Sequence, residues 1–366
     1  MIAKAVFAAG GTGGHIFPAI AVADELRKMN KDVKIIFIGA KGRIEEKIVP
    51  KNGYELKTLE VKGFYRSISP KNIIVISKFF KALKEAKKYL KEFKPEIVYG
   101  TGGFVSGPVL MASHKIGIPS VIQEGNYYPG VTVKWLANKV NRVLLNFEGS
   151  RKFFKKQDNL EVVSYPVREN LKRYSKSEAC SFFGLDEGKK ILFAFGGSQG
   201  AGSINRALLG NAESFGKNNI QLIWQTGAGD YDRILEKVKG YNNIKLFRFI
   251  DNIDYAYSAA DLTVCRAGIS TVMELAIFGS AVLFVPFPFA SENHQEKNAR
   301  AMVDASAAEL ILDKDVEPGL YDKVIKLIYD DNKLKLMGEN IKKFADREAA
   351  SKIAELLTQM TKNKLN

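Results

Sequence analysis

Cysteine, histidine and tryptophan are scarce in this 366-residue chain, with two, three and two copies respectively. Two cysteines, Cys180 and Cys265, make no disulfide framework and fit a reducing compartment. His15, His114 and His294 fall at no ligand-like spacing, so no metal site is expected. No run reaches the ~18 apolar residues of a membrane span. The short apolar run at the N-terminus leads straight into a glycine turn and reads as a strand, not a signal peptide. Acid is also in deficit: 40 Asp and Glu face 55 Lys and Arg, a formal net charge of +15. That excess points to an acidic partner, whether nucleic acid, anionic lipid or a phosphorylated substrate. The expectation is a cytoplasmic, soluble protein that touches a membrane surface at most. At this length two domains are expected.

What the chain does have is 31 glycines, several of them in three turns. Gly10-Gly11-Thr12-Gly13-Gly14-His15 follows the apolar run Ala5–Ala9 and precedes a helical pattern. Gly100-Thr101-Gly102-Gly103 and Gly196-Gly197-Ser198-Gln199-Gly200 follow strand-like runs in the same way. A strand, a glycine turn and a helix N-terminus form an anion site, because backbone N–H groups converge there and glycine admits phosphate closely. Three such turns say that phosphates are handled. Around them, strand-like runs alternate with helical patterns: Val33–Ile38, Tyr54–Val61, Glu96–Tyr99 and Pro119–Ile122 in the first half. After a pause near Tyr165-Pro166-Val167-Arg168 the rhythm restarts with Lys190–Phe195, Gln221–Gln225, Leu262–Cys265 and Ala281–Val285. The expected fold is α/β, with two Rossmann-like, doubly wound parallel sheets facing across a cleft.

Two nucleotide chemistries lack their residues. Dinucleotide binding wants an acid at the end of the second strand, yet Val33–Ile38 ends in Gly39-Ala40-Lys41 and Gln221–Gln225 in Thr226-Gly227. A Walker lysine is missing too. Asp230-Tyr231-Asp232 resembles an acidic pair for a divalent cation, but acids in a turn and a first helical turn are the simpler reading. The basic excess is uneven. Residues 62–94 hold nine lysines and one arginine against Glu85 and Glu92, a net of +8. There Ile76, Phe79, Phe80, Leu83, Ala86, Leu90 and Phe93 recur at helical spacing, with Lys81, Lys84, Lys88 and Lys91 on another face. One reading is a core-packing helix with a solvated basic face; the other is a patch that docks on an anionic membrane. No nucleic-acid-binding motif is recognisable.

The densest constellation is Arg266-Ala267-Gly268-Ile269-Ser270-Thr271-Val272-Met273-Glu274. It follows a strand, so the glycine turn opens a helix and Glu274 lies about one turn in, where a carboxylate could accept both hydroxyls of a ribose. An ordinary first-turn glutamate is the alternative. His294-Gln295 and Asn298 follow the proline-marked loop 286–291, and such groups suit sugar hydroxyls as well as a polar helix start.

These residues carry a resemblance to the MurG family, peripheral membrane N-acetylglucosaminyltransferases of peptidoglycan synthesis. It runs through Gly10–His15, Gly100–Pro108, Gln123–Gly130, Pro166–Arg168, Gly196–Ala201, Arg266–Glu274 and His294–Ala299, nearly the whole chain. The resemblance implies the glycosyltransferase B type of fold. Its domains would be 1–163 for the acceptor and membrane, 164–340 for the donor, and a C-terminal helix 341–366 returning to the first domain. It implies inverting transfer of GlcNAc from UDP-GlcNAc to the muramyl 4-hydroxyl of lipid I, with no cofactor and no essential metal. The implied partners are UDP-GlcNAc, the polyprenyl-diphosphate-linked acceptor, the anionic cytoplasmic face of the plasma membrane and other cell-wall synthesis proteins, with no nucleic acid.

By motif position the resemblance assigns Thr12, Gly13, Gly14, Asn126, Arg168, Ser198, Gln199, Ile250, Arg266, Glu274 and Gln295 to the donor. Among these, Glu274 would hold the ribose, Ile250 would lie against uracil, and Ser198 and Gln199 would meet the diphosphate with Arg168 nearby. Gln295 and Asn126 would hold GlcNAc hydroxyls. The acceptor would touch Gly13, Gly14, Gly102, Gly103, Phe104 and Ser106. Inversion by single displacement needs a base on the acceptor hydroxyl, and His15 and Glu124 are the two candidates. Three stretches depart from the family pattern, at five positions. Gln123-Glu124-Gly125-Asn126 stands where His-Glu-Gln-Asn is usual, Ser164-Tyr165 where Gly-Asn is usual, and Phe104 where many members have Tyr. The changes cluster on the acceptor side, so the alternative is a related transferase using another polyprenyl-diphosphate or glycolipid. A non-catalytic sugar-nucleotide-binding subunit is a third reading, disfavoured by donor and acceptor loops in one chain.

Overall fold

The computed structural model describes residues 1–63, 71–168, 171–197 and 199–362, the side chains of 71–73 excepted. The chain forms two compact units, one of residues 1–169 with 346–366 and one of residues 170–345.

In the first unit seven strands pair in parallel: β1 (Lys4–Ala8), β2 (Lys34–Ala40), β3 (Glu55–Leu59), β4 (Ile97–Gly100), β5 (Ser120–Glu124), β6 (Arg142–Leu145) and β7 (Leu160–Val162). Their order is β3-β2-β1-β4-β5-β6-β7. Because strand side chains alternate, β1 sends Val6 and Ala8 to one core and Ala5 and Phe7 to the other. The helices α1 (Gly13–Met29), α2 (Glu45–Lys51), α3 (Lys71–Phe93), α4 (Gly103–Lys115) and α5 (Val131–Leu136) follow in chain order. Leu83, Ala86 and Leu90 of α3 join Val109 and Leu110 of α4 on the Val6 face. Ile16 and Ile20 of α1 cover the Phe7 face together with Ile353, Ala354 and Leu357 from the last helix, Ala349–Lys362. Strands buried on both faces read as unbroken apolar runs, which is why most of them stand out in the sequence.

The second unit holds six parallel strands, β8 (Lys190–Phe195), β9 (Ile220–Gln225), β10 (Ile244–Phe247), β11 (Leu262–Cys265), β12 (Val282–Phe284) and β13 (Glu309–Leu310). Their order is β10-β9-β8-β11-β12-β13. In each sheet the order reverses at one place, between β1 and β4 and between β8 and β11. Ligands of open α/β sheets bind outside the carboxyl ends of the strands at such a reversal. All three glycine turns and the Arg266–Glu274 run leave these four strands.

The unit boundaries fall at 169/170 and 345/346, not at the expected 163/164 and 340/341. Tyr165 is fully buried in the first unit, its N–H bonded to Asn146. At the other end Met337 and Ile341 are buried in the second unit, and the Lys342 stem covers Gly279.

Candidate active site

The turn after β1 is held from beneath by a glutamate that nothing in its local sequence marks. Glu45, at the start of α2, is fully buried. Its carboxylate accepts from Gly11 N (3.1 and 3.2 Å) and Ala40 N (2.8 Å), and it fills the space a Cβ on Gly10 would need. Gly11 therefore donates inward to a carboxylate and not outward to a ligand. Outward N–H groups are left to the first turn of α1, where Thr12 makes no side-chain cap and no acid is present.

His15, one turn into α1, is latched to the second glycine turn. Its Nδ1 lies 2.7 Å from the Thr101 carbonyl, and Thr101 Oγ1 donates to the His15 carbonyl at 2.7 Å. A carbonyl only accepts, so Nδ1 carries the hydrogen and Nε2 holds the lone pair of the neutral ring. Gly102 and Gly103 make room for that ring. Both have φ in the left-handed region, and a Cβ at 103 would come within 3.3 Å of Nε2. Phe104 packs over Gly11. Ser106, expected at the acceptor, is fully buried, with its hydroxyl donating between Gly102 O (2.6 Å) and Ala8 O (3.1 Å). This corrects the expectation: the Ser106 hydroxyl ties the end of β1 to the second glycine turn and has no exposed surface to offer an acceptor.

At the end of β5, Glu124 is buried, and its carboxylate organises the following turn. One oxygen accepts from Asn126 N (2.9 Å) and Nδ2 (3.1 Å), the other from Gly130 N (2.7 Å). Gln123, in the place of the usual imidazole, accepts from the buried Tyr99 hydroxyl. Tyr165 donates to the Gly14 carbonyl at 2.5 Å. Burial and the nearby Glu124 carboxylate push the Tyr165 hydroxyl well above the usual phenol range. Arg168 is exposed.

In the second unit the turn after β8 is shaped by backbone contact. A Cβ on Gly200 would lie 2.0 Å from Thr226 O, and one on Gly227 would lie 2.4 Å from Gly200 N. Both residues have positive φ, so glycine is required twice over. Buried Gln225 bridges this turn to the one after β10: Nε2 donates to Gly197 O (3.2 Å), and Oε1 accepts from Ile250 N (2.9 Å). Gln199 is exposed at the turn, and Ser198 lies outside the described residues.

The Arg266–Glu274 run opens the helix Ile269–Phe278. Glu274 is buried and accepts from Tyr257 OH at 3.0 Å, a partner the sequence gave no sign of. Gln295 Oε1 accepts from Ala267 N (3.2 Å) and Phe287 N (3.0 Å), which fixes two turns and orients its Nε2 end. Arg266, expected at the donor, is engaged internally. Its guanidinium donates to Val285 O, Pro286 O, Ser203 Oγ and Asp313, and lies 5.6 Å over the Phe287 ring. It braces the 285–287 turn instead of extending from it. Asp230 and Asp232 are paired with Arg233 and Arg248 respectively. Among the described residues no group of three or more His, Cys, Asp or Glu is arranged to hold a metal ion.

The basic helix α3 divides along its length. Leu83, Ala86 and Leu90 are core, whereas Ile74 (58% exposed), Ile76 (45%) and Phe80 (61%) face solvent near its N-terminus. Phe79 meets Trp135 of α5 edge-on at 5.7 Å, and Trp135 (44% exposed) with Val131 extends the apolar surface. Lys81, Lys84, Lys88 and Lys91 are exposed on the same helix. Residues 64–70 of the basic segment lie outside the described residues. Among the described residues no helix is long and apolar enough to cross a membrane.

The glycosyltransferase family 28 N-terminal domain matches residues 5–145, and the family's C-terminal domain matches residues 191–355. The chain is 40% identical over 365 residues to a Parabacteroides distasonis protein named UDP-N-acetylglucosamine--N-acetylmuramyl-(pentapeptide) pyrophosphoryl-undecaprenol N-acetylglucosamine transferase, covering 99% of each. A Thermoanaerobacter protein of the same name is 40% identical, with 98% of this chain and 100% of that one covered. Among solved structures, the crystal structure of Acinetobacter baumannii MurG superposes with a TM-score of 0.78 at 25% identity, over 97% of this chain and 99% of that one. The two Rossmann-like parallel sheets are the glycosyltransferase B type of fold.

Proposed function

The chain belongs to glycosyltransferase family 28, and from that membership we propose that it transfers N-acetylglucosamine from UDP-GlcNAc to the muramyl 4-hydroxyl of undecaprenyl-diphosphate-linked MurNAc-pentapeptide, turning lipid I into lipid II. The reaction is an inverting single displacement. One observation carries the mechanism: Nδ1 of His15 is committed to the Thr101 carbonyl, which leaves Nε2 as the lone-pair nitrogen that takes the acceptor proton. Glu124 ranks behind it, because its oxygens already hold the 125–130 turn, and protonation would oppose those bonds.

The donor is held by Glu274 at the ribose, Ile250 at the uracil, Gln295 and Asn126 at the GlcNAc hydroxyls, and Thr12, Gly13 and Gly14 beside them. Ser198, Gln199 and Arg168 meet the diphosphate. The uncapped N-terminus of the helix Gly202–Gly210 supplies dipole there, so the departing UDP is stabilised without a required metal ion. Arg266 acts indirectly by bracing the 285–287 turn. The acceptor diphosphate sits on the first turn of α1, at Gly13 and Gly14, with Gly102, Gly103 and Phe104 alongside.

The apolar end of α3 with Trp135, beside its lysines, docks the enzyme peripherally on the anionic cytoplasmic face of the plasma membrane. The test is transfer of radiolabelled GlcNAc to lipid I and to other polyprenyl-diphosphate sugars, with and without EDTA. Preferential transfer to lipid I, insensitive to EDTA, is the expected result. Preference for another lipid would reassign the acceptor, and loss with EDTA would overturn the metal-free mechanism.

A further inference from the structure

The Gly14 carbonyl lies in the first turn of α1, where it would ordinarily accept from the N–H four residues on. That residue is Pro18, which has none. Tyr165, 151 residues away in sequence, supplies the missing donor: its hydroxyl lies 2.5 Å from the Gly14 oxygen. The ring is 1% exposed and lies against Gly125, where a Cβ would come within 2.7 Å of it. Gly125 does not have positive φ, so space alone demands glycine there. On the other side, Tyr165 N donates to Asn146 Oδ1 at 2.7 Å. The buried hydroxyl stays protonated and is a permanent donor.

We propose that Tyr165 is a positioning residue for His15, that it fixes the Gly14–His15 peptide by satisfying the carbonyl Pro18 leaves open, and that Gly125 is the cavity that admits its ring. His15 is then held from two directions, by Thr101 at the imidazole and by Tyr165 at the preceding peptide. In the structure Tyr165 and Gly125 form one fitted pair. The inference rests on the reading of His15 as proton acceptor.

Tyr165→Phe removes one oxygen atom and keeps the packing. The expected result is a kcat about tenfold lower with KM for UDP-GlcNAc within about twofold of wild type. A kcat within about twofold of wild type overturns the proposal. Gly125→Ala is expected to lower kcat similarly by displacing the ring; should it fail to fold, Tyr165→Phe still decides.

A second measurement does not depend on turnover. With only three histidines in the chain, ring resonances are resolvable by NMR. In Tyr165→Phe the His15 signal moves while those of His114 and His294 stay. An unmoved His15 signal overturns the proposal whatever the rates do. If the wild type transfers no GlcNAc, the reaction proposed above fails, and the spectrum alone judges Tyr165.

Discussion

The glycine turns after β1 and after β8 look alike in sequence and stand at equivalent points of their sheets, yet they rest on different foundations. The first has a buried carboxylate beneath it and donates Gly11 N–H to that acid. The second packs Gly200 against the Thr226–Gly227 backbone and is bridged by the neutral amide of Gln225. A negative charge under the first turn opposes a phosphate drawn close to Gly11, whereas no carboxylate bonds to the described backbone of the second turn. A glycine turn thus marks where phosphate could approach. The group behind the turn decides which part of it is open to one.

The strongest way to break this contrast is through the first turn's imidazole. His15→Ala is expected to lower kcat by about 10²–10⁴-fold while calorimetric affinity for UDP-GlcNAc changes little. A near-normal rate on lipid acceptor would remove His15 as the base. Next comes the acid beneath the turn. Glu45→Ala leaves Gly11 N and Ala40 N without their acceptor in a buried site, and urea unfolding should report a loss of about 3 kcal/mol. A loss below about 1 kcal/mol would show that the carboxylate does not support the turn.

On the donor side, Glu274→Ala is expected to weaken UDP-GlcNAc binding by about 2 kcal/mol, roughly 30-fold in Kd; unchanged affinity by calorimetry would sink the ribose assignment. The smallest effect per residue lies at the surface. Reversing the charge of Lys81, Lys84 and Lys88 should reduce flotation with anionic vesicles by about 1 kcal/mol for each residue, more at low salt than at high. Flotation indifferent to all three reversals would confine membrane contact to the apolar end of α3.

Much of this was legible in the sequence because parallel strands buried on both faces leave long apolar runs, and because glycine turns must follow them. Strands β6, β7, β10 and β13 are not legible: they are two to four residues long and, unlike the equally short β4, β11 and β12, have no glycine or proline within three residues after them to mark their ends. The candidate site divides the same way. Gly10–His15 and Arg266–Glu274 are contiguous motifs and could be read. Glu45 could not, since nothing local marks a glutamate at a helix start as the floor of a turn 34 residues earlier. Thr101 sits inside a legible glycine motif, but its grip on His15 spans 86 residues and exists only in the fold. The helical periodicity of α3 suggested two incompatible uses, and the structure assigns each to a different part of the helix: core toward its C-terminus, exposed apolar surface at its N-terminal end.

The return of the last helix to the first unit has a consequence for synthesis. Topologically, the second unit is an insertion within the first, because residues 346–366 complete what residues 1–169 begin. On the ribosome the first unit is therefore the earliest begun and the last finished. Until Ile353, Ala354 and Leu357 emerge, the Phe7 face of its sheet lacks their cover, whereas residues 170–345 are continuous and complete sooner. A fragment ending near residue 169 would carry that uncovered face permanently, while residues 170–345 form the natural unit to express alone.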